Sequence, residues 1–213
     1  MNKLKIDILK QGVHMKKIIT LAIASLVTGT AMANEPGKTD TGIDYNKIEV
    51  NYIAATISNS TWDGYYTSGS FLVSENVFLL VNFATISRLG ATREKTNIGL
   101  GYRFPVGSSA DLFSTLTYYS QTNDFSQTNN YSVTTKTTNE GGNWGLGVRS
   151  KLSADADASA VYNYISAGSQ TYNNYTISLK YNVTESIFAT GGYTWQTGSS
   201  SATAYLVGAG VRF

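Results

Sequence analysis

From residue 47 onward, apolar and polar positions alternate with a period of two, in ten runs of about ten residues each. The runs fall near 47–57, 64–73, 76–87, 95–104, 110–121, 143–152, 157–167, 173–183, 186–197 and 202–213. In 173–183, Tyr175, Ile177, Leu179, Tyr181 and Val183 alternate with Thr176, Ser178, Lys180 and Asn182. In 202–213, Tyr205, Val207, Ala209, Val211 and Phe213 share one parity, and Gly208, Gly210 and Arg212 the other. Run 95–104 sets Ile98, Leu100, Tyr102 and Phe104 against Asn97, Gly99, Gly101 and Arg103. Successive side chains of a strand point to opposite faces, so each run predicts a strand with one apolar and one small or polar face. Runs 76–87 and 110–121 are less regular. Phe78, Leu80 and Phe113 fall on their polar side and are expected to fill interior space.

The polar face consists of Gly, Ser, Thr, Asn, Lys and Arg, which cannot make a dry protein core. The apolar face therefore points outward, and the expected fold is all-β: a transmembrane antiparallel up-and-down barrel of about ten strands, with eight as the alternative. Run length suits strands crossing a bilayer. Connections are expected to alternate, with tight ones at 74–76, 105–110, 153–156 and 184–186. Long or highly polar ones are expected at 58–63, 88–94, 122–142, 168–172 and 198–201. Short periplasmic turns opposite longer outer loops are the outer-membrane pattern. Trp144 and Trp195 would then mark one interfacial girdle, and Phe104, Tyr181 and Phe213 the other. Within 122–142, residues 131–137 could extend the flanking strands above the membrane.

Composition supports this reading. Of 213 residues, 14% are charged and 12% aromatic, with 15 Tyr and 20 Gly; the mean hydropathy is −0.14. A soluble domain carries about 25% charged residues, and a helical membrane protein would be far more apolar. The start of the chain has the parts of a secretory signal: Lys16-Lys17, an apolar stretch from Ile18 to Val27, and Ala31-Met32-Ala33. Cleavage is expected after Ala33, with 1–14 read as an over-called upstream start before Met15. Residues 34–46 are expected to form a periplasmic tail and 47–213 the barrel. Five lysines against Asp7 make the first 33 residues strongly basic, so the remainder is slightly acidic although the whole chain is +2. That balance excludes a basic nucleic-acid surface.

One pattern recurs in Ile98-Gly-Leu-Gly-Tyr-Arg103, Trp144-Gly-Leu-Gly-Val-Arg149 and Val207-Gly-Ala-Gly-Val-Arg212. These glycine pairs lack the third glycine and the helix of a dinucleotide loop, and are expected to relieve crowding or let the strand curve. The final strand, with Tyr205, Val207, Val211 and Phe213, resembles the C-terminal assembly signal of outer-membrane barrels. Over residues 47–213 the chain resembles the small outer-membrane β-barrel superfamily, broadly OmpA- and OmpX-like barrel domains, which typically have about eight strands. The resemblance implies residence in the cell outer membrane among lipid and lipopolysaccharide. It also implies insertion by the barrel-assembly machinery after escort by periplasmic chaperones, a monomer, and no transferred active site.

Candidate chemistry is sparse. There is no Cys, and the single His, His14, precedes the expected cleavage site. The mature chain is thus expected to lack Ser-His and Cys-His catalysis and His-ligated metal, leaving a non-enzymatic protein without cofactor. Asp155 and Asp157 are expected to be solvated turn residues. Parity places Arg103, Arg149, Lys151, Lys180 and Arg212 inside the barrel at its periplasmic end, with Glu49 and Asp111 at a similar level. Glu49 and Arg212 are expected to meet across the seam between the first and last strands. This cluster is either an internal ion-pair network or a basic constriction that favours anions. Two functions follow: a barrel with a structural, barrier or loop-borne interaction role, or a narrow passive channel.

Overall fold

The computed structural model describes residues 41–129 and 131–213, with backbone alone for 126–134. The expected signal peptide (1–33, including His14) and residues 34–40 lie outside the described residues. Ten strands follow: β1 Lys47–Ile57, β2 Ser60–Leu72, β3 Val77–Arg88, β4 Ala91–Val106, β5 Ala110–Asn129, β6 Tyr131–Lys151, β7 Ala156–Ala167, β8 Gln170–Asn182, β9 Ile187–Gly198 and β10 Ala202–Arg212. Each pairs antiparallel with its neighbour in sequence. β1 pairs with β10 from Lys47↔Arg212 to Ile57↔Ala202, which closes the barrel. Ten strands, rather than eight, complete the architecture suggested by the resemblance. The near rim is the end where β1 begins and β10 stops; the far rim lies opposite.

The expected contrast between short and long connections does not hold. Near-rim turns span 73–76, 107–109, 152–155 and 183–186, whereas 58–59, 89–90 and 168–169 join strands at the far rim with two residues each. The polar stretches 60–63, 91–94, 122–129 and 131–142 are strand, the extension over 131–137 as expected, because ladder hydrogen bonds need no apolar face once register is set. Ser58 and Asn59 both have positive φ (48° and 64°), the primed-turn geometry that matches strand twist. β5 and β6 run beyond their neighbours as a two-stranded ribbon, paired as far as Asn129↔Tyr131.

The outer wall is apolar at mid-height. Val50, Ile98, Leu100, Leu116, Ile177, Leu179 and Val207 are 46–70% exposed, far more than an aqueous surface would leave uncovered in one band. Outward aromatics form a girdle towards the far rim. Trp144 meets Tyr162 edge-on, Tyr162 meets Tyr175, and Tyr175 stacks on Trp195 with centroids 5.2 Å apart. The series continues through Tyr193 to Tyr205 on β10 and is taken up by Tyr52 and Tyr65 on β1 and β2. Tyr102 and Phe104 lie together nearer the other rim.

The glycine repeat also acquires a structural meaning. Phe78, Phe113 and Phe188 point inward, and each faces the second glycine of one repeat directly across the ladder: Gly101, Gly147 and Gly210. A Cβ on these glycines would lie 2.1, 2.4 and 2.3 Å from the ring. The ring therefore occupies the space a side chain would take, a cross-strand pairing of aromatic on glycine. The arginine two residues on shares the same inward face.

Candidate functional site

The lumen has a packed near half and a hollow far half. The near half is filled from within by the residues just before β1. Asp44 Oδ1 accepts a 2.9 Å hydrogen bond from the Asn46 amide, an Asx-type turn that directs the chain into the barrel. Thr41, Ile43 and Tyr45 are at most 1% exposed. Tyr45 packs on Phe78 (4.8 Å between centroids), which meets Phe113 edge-on at 6.2 Å. The Ser70 hydroxyl donates to the Tyr45 carbonyl and the Leu72 amide to Asn46 Oδ1. Lys151 Nζ donates to the Gly42 carbonyl at 3.3 Å. Residues 41–46, expected to belong to a tail, thus plug the near half. The available signal was that Ile43 and Tyr45 continue the odd, inward parity of β1.

All seven charged residues expected inside lie at this level, but their pairing differs from expectation. Arg103 Nη1 donates to both carboxylate oxygens of Asp111 at 3.3 Å, with side chains 4% and 0% exposed. Glu49 pairs with Lys47 on its own strand at 3.2 Å, not with Arg212. The residue opposite Arg212 is Lys47, so Arg212 finds its carboxylate on the plug, Asp44, at 3.8 Å, and also donates to Asn182. Asp157 is not a solvated turn residue; it lies in β7 and binds Lys180 inside the lumen. Asp155 remains in the exposed turn. Arg149 instead sits among rings, 4.4 Å from the Tyr45 centroid and 5.1 Å from that of Phe113. On the last strand, Tyr205 and Val207 face outward at 65% and 69% exposure, Val211 shares their parity, and Phe213 follows β10.

Electrostatics on the plug follow from enclosure. Burial raises the Asp44 carboxyl above its ordinary value, against the lowering effect of the Asn46 amide, Lys180, Arg212 and Lys47. Burial, with help from Asp111, pushes the Tyr45 hydroxyl up to about 12, against Arg149.

Above the plug, a cavity of about 330 Å³ runs from Ile43 and Asp44 to Ile57 and Ala202 at the far rim. Its middle band is amide- and hydroxyl-rich: Tyr66 donates to Asn82, and Asn143 to Asn97. Its upper wall is apolar on two sides. Ile53, Ala55, Ile57, Trp62 and Ile86 form one buried cluster, and Tyr119, Ile165, Ala167 and Tyr172 the other. Sequence reading missed two cations here, Arg93 and Lys95, although both share the parity of Arg103 on β4.

No protein-family model matches the chain, and no curated protein matches it. Among solved structures, the N-terminal β-barrel domain of Pseudomonas aeruginosa OprF is similar at 15% identity, covering 79% of this chain and 98% of that one, with a TM-score of 0.40. The Yersinia pestis attachment invasion locus protein Ail is similar at 13% identity, 78% and 95% coverage and a TM-score of 0.43. The NanC porin gives 10% identity, 77% and 100% coverage and 0.45. No function carries across at these scores. The fold rests on the chain's own closed ladder.

Proposed function

We propose that this protein is a non-enzymatic integral outer-membrane barrel whose lumen is closed at the near rim, and that its role is barrier or interaction rather than passage. The plug carries this reading: residues 41–46 are packed against Phe78 and Phe113 and held by Ser70, Leu72, Lys151 and Arg212. The apolar belt and its aromatic girdle support membrane residence. The β5–β6 ribbon, reaching past the other strands at the far rim, is the element best placed to meet a partner. In this reading lipid and lipopolysaccharide surround a monomeric barrel, the assembly machinery inserts it with periplasmic chaperones delivering it, and Tyr205, Val207, Val211 and Phe213 form its assembly signal.

The test is conductance. Purified protein in planar bilayers should be silent at moderate voltage. Stable unitary steps from the unaltered protein, losing anion preference in Arg149→Ala, would instead establish the narrow channel.

A further inference from the structure

The far half of the lumen contains an electrostatic asymmetry that closure of the near rim does not explain. Arg93 and Lys95 project from β4 into the cavity, two residues apart and hence about 7 Å apart along the strand. Among the described residues neither forms an ion pair, whereas Lys47, Lys180, Arg103 and Arg212 all have carboxylates and Arg149, without one, is held between the Tyr45 and Phe113 rings. The cavity-lining acids are Asp44, Glu49 and Asp157, all engaged in the near half.

The neutral acceptors facing them on β5 are also engaged. Opposite Lys95 and Arg93 on β5 stand Gln121 and Asn123. Gln121 Oε1 accepts from the Tyr119 hydroxyl at 2.7 Å, and Asn123 Oδ1 accepts from Gln121 at 3.2 Å. Asn82 and Asn97 accept from Tyr66 and Asn143. Arg93 Nε is buried with no hydrogen-bond partner among the described residues, and its guanidinium lies 5.4 Å from the Trp62 ring centroid.

Two like charges held side by side repel, and enclosure makes that repulsion costlier than in water. An anion between them removes the cost. β4 stands between the two apolar clusters, with Trp62 and Ile86 on one side and Tyr119 and Ile165 on the other. A ligand whose charge meets β4 would therefore rest its body on apolar walls. The cavity has the volume of a small-molecule site, and at its far end apolar walls flank the two cations.

We propose that the far half of the lumen binds a small hydrophobic carboxylate, with Arg93 and Lys95 holding the carboxylate and Ile53, Ile86 and Tyr119 enclosing the apolar body. The proposal rests on the reading of a membrane barrel closed at the near rim, so the ligand enters and leaves by the far rim.

Calorimetric titration of the protein in lipid nanodiscs with phenylacetate tests it, with the uncharged phenylacetamide as comparison. No transmembrane gradient is involved, so failure here leaves the conductance test of closure untouched. Phenylacetate should bind saturably and at least tenfold more tightly than the amide. The double variant Arg93→Gln/Lys95→Gln should lose at least tenfold, while Arg149→Gln at the plug should bind within twofold of the unaltered protein. Absence of saturable binding, or equal affinity for acid and amide, would overturn the proposal without reliance on any variant. Loss in Arg149→Gln with retention in the double variant would overturn its placement.

Discussion

The two halves of this lumen use similar residues to opposite ends. In the near half, inward arginines and lysines meet carboxylates or aromatic rings, three phenylalanines seat on glycines, and a segment from outside the strands fills the remaining space. In the far half, two cations face a stretch of the cavity where no carboxylate lies, between apolar walls that do not meet. Barrel geometry sets the radius alike at both ends, so the difference lies in what the strands and the preceding segment insert. A buried charge with its partner belongs to the structure. Two neighbouring cations with no carboxylate, beside open space, point to something that arrives later.

The largest test of this contrast is to delete one cation from each half. Arg103→Ala leaves Asp111 fully buried without its ion-pair partner and should cost roughly 3–5 kcal/mol. Lys95→Ala removes a cation that forms no ion pair and relieves its repulsion with Arg93, so it should not destabilise the protein. Urea-induced unfolding from lipid vesicles, followed by tryptophan fluorescence, measures both. If Asp111→Asn restores much of the loss in the Arg103→Ala background, the stranded charge is its cause. Equal costs at Arg103 and Lys95 would abolish the distinction between the halves.

A smaller effect is expected from adding one methyl group. Gly101→Ala would place Cβ 2.1 Å from the Phe78 ring, which is itself pinned by Tyr45, so the ring and the plug above it must shift. Overpacking of this kind costs about 1–3 kcal/mol. Gly142→Ala, where a Cβ meets nothing within 4 Å, should be close to neutral in the same assay. The Gly101 variant should also expose the plug to added protease, which the Gly142 variant should not.

These comparisons show why some features were legible in the sequence and others were not. Period-two alternation fixes which side chains face inward, so the ten strands and the interior placement of Arg103, Asp111, Arg149 and Lys180 could be read directly. Phe78 and Phe113 were recognisable as interior filling by the same parity. Partners could not be read, because a partner across a barrel depends on register. A two-residue difference in register puts Lys47 rather than Glu49 opposite Arg212. Far-rim turns at 58–63 and 88–94 were misread as longer loops because polarity was equated with irregular backbone, whereas the strand extension over 131–137 was legible. The plug was missed because Ile43 and Tyr45 are isolated apolar residues in a polar stretch, and only closure of the barrel provides a place to bury them.

The smallest predicted effect concerns the one carboxylate that the plug itself brings into the near half. Burial holds Asp44 above its ordinary value although Lys180, Arg212 and Lys47 all oppose that shift. A carboxyl raised on folding gives a contribution that is fully present below its unfolded value and is lost as pH rises through the folded one. Its protonated form therefore seats better, and this residue's share of stability should increase on acidification and decrease towards neutrality. Asp44→Asn imitates the protonated form. In parallel urea titrations the variant should be slightly more stable than the unaltered protein at neutral pH, and the difference should vanish in acid. Subtracting the two curves removes every other titrating group. A variant less stable at neutral pH would mean that the ion pair with Arg212 outweighs the cost of burial, and that the near half is held by its charges more than by its rings.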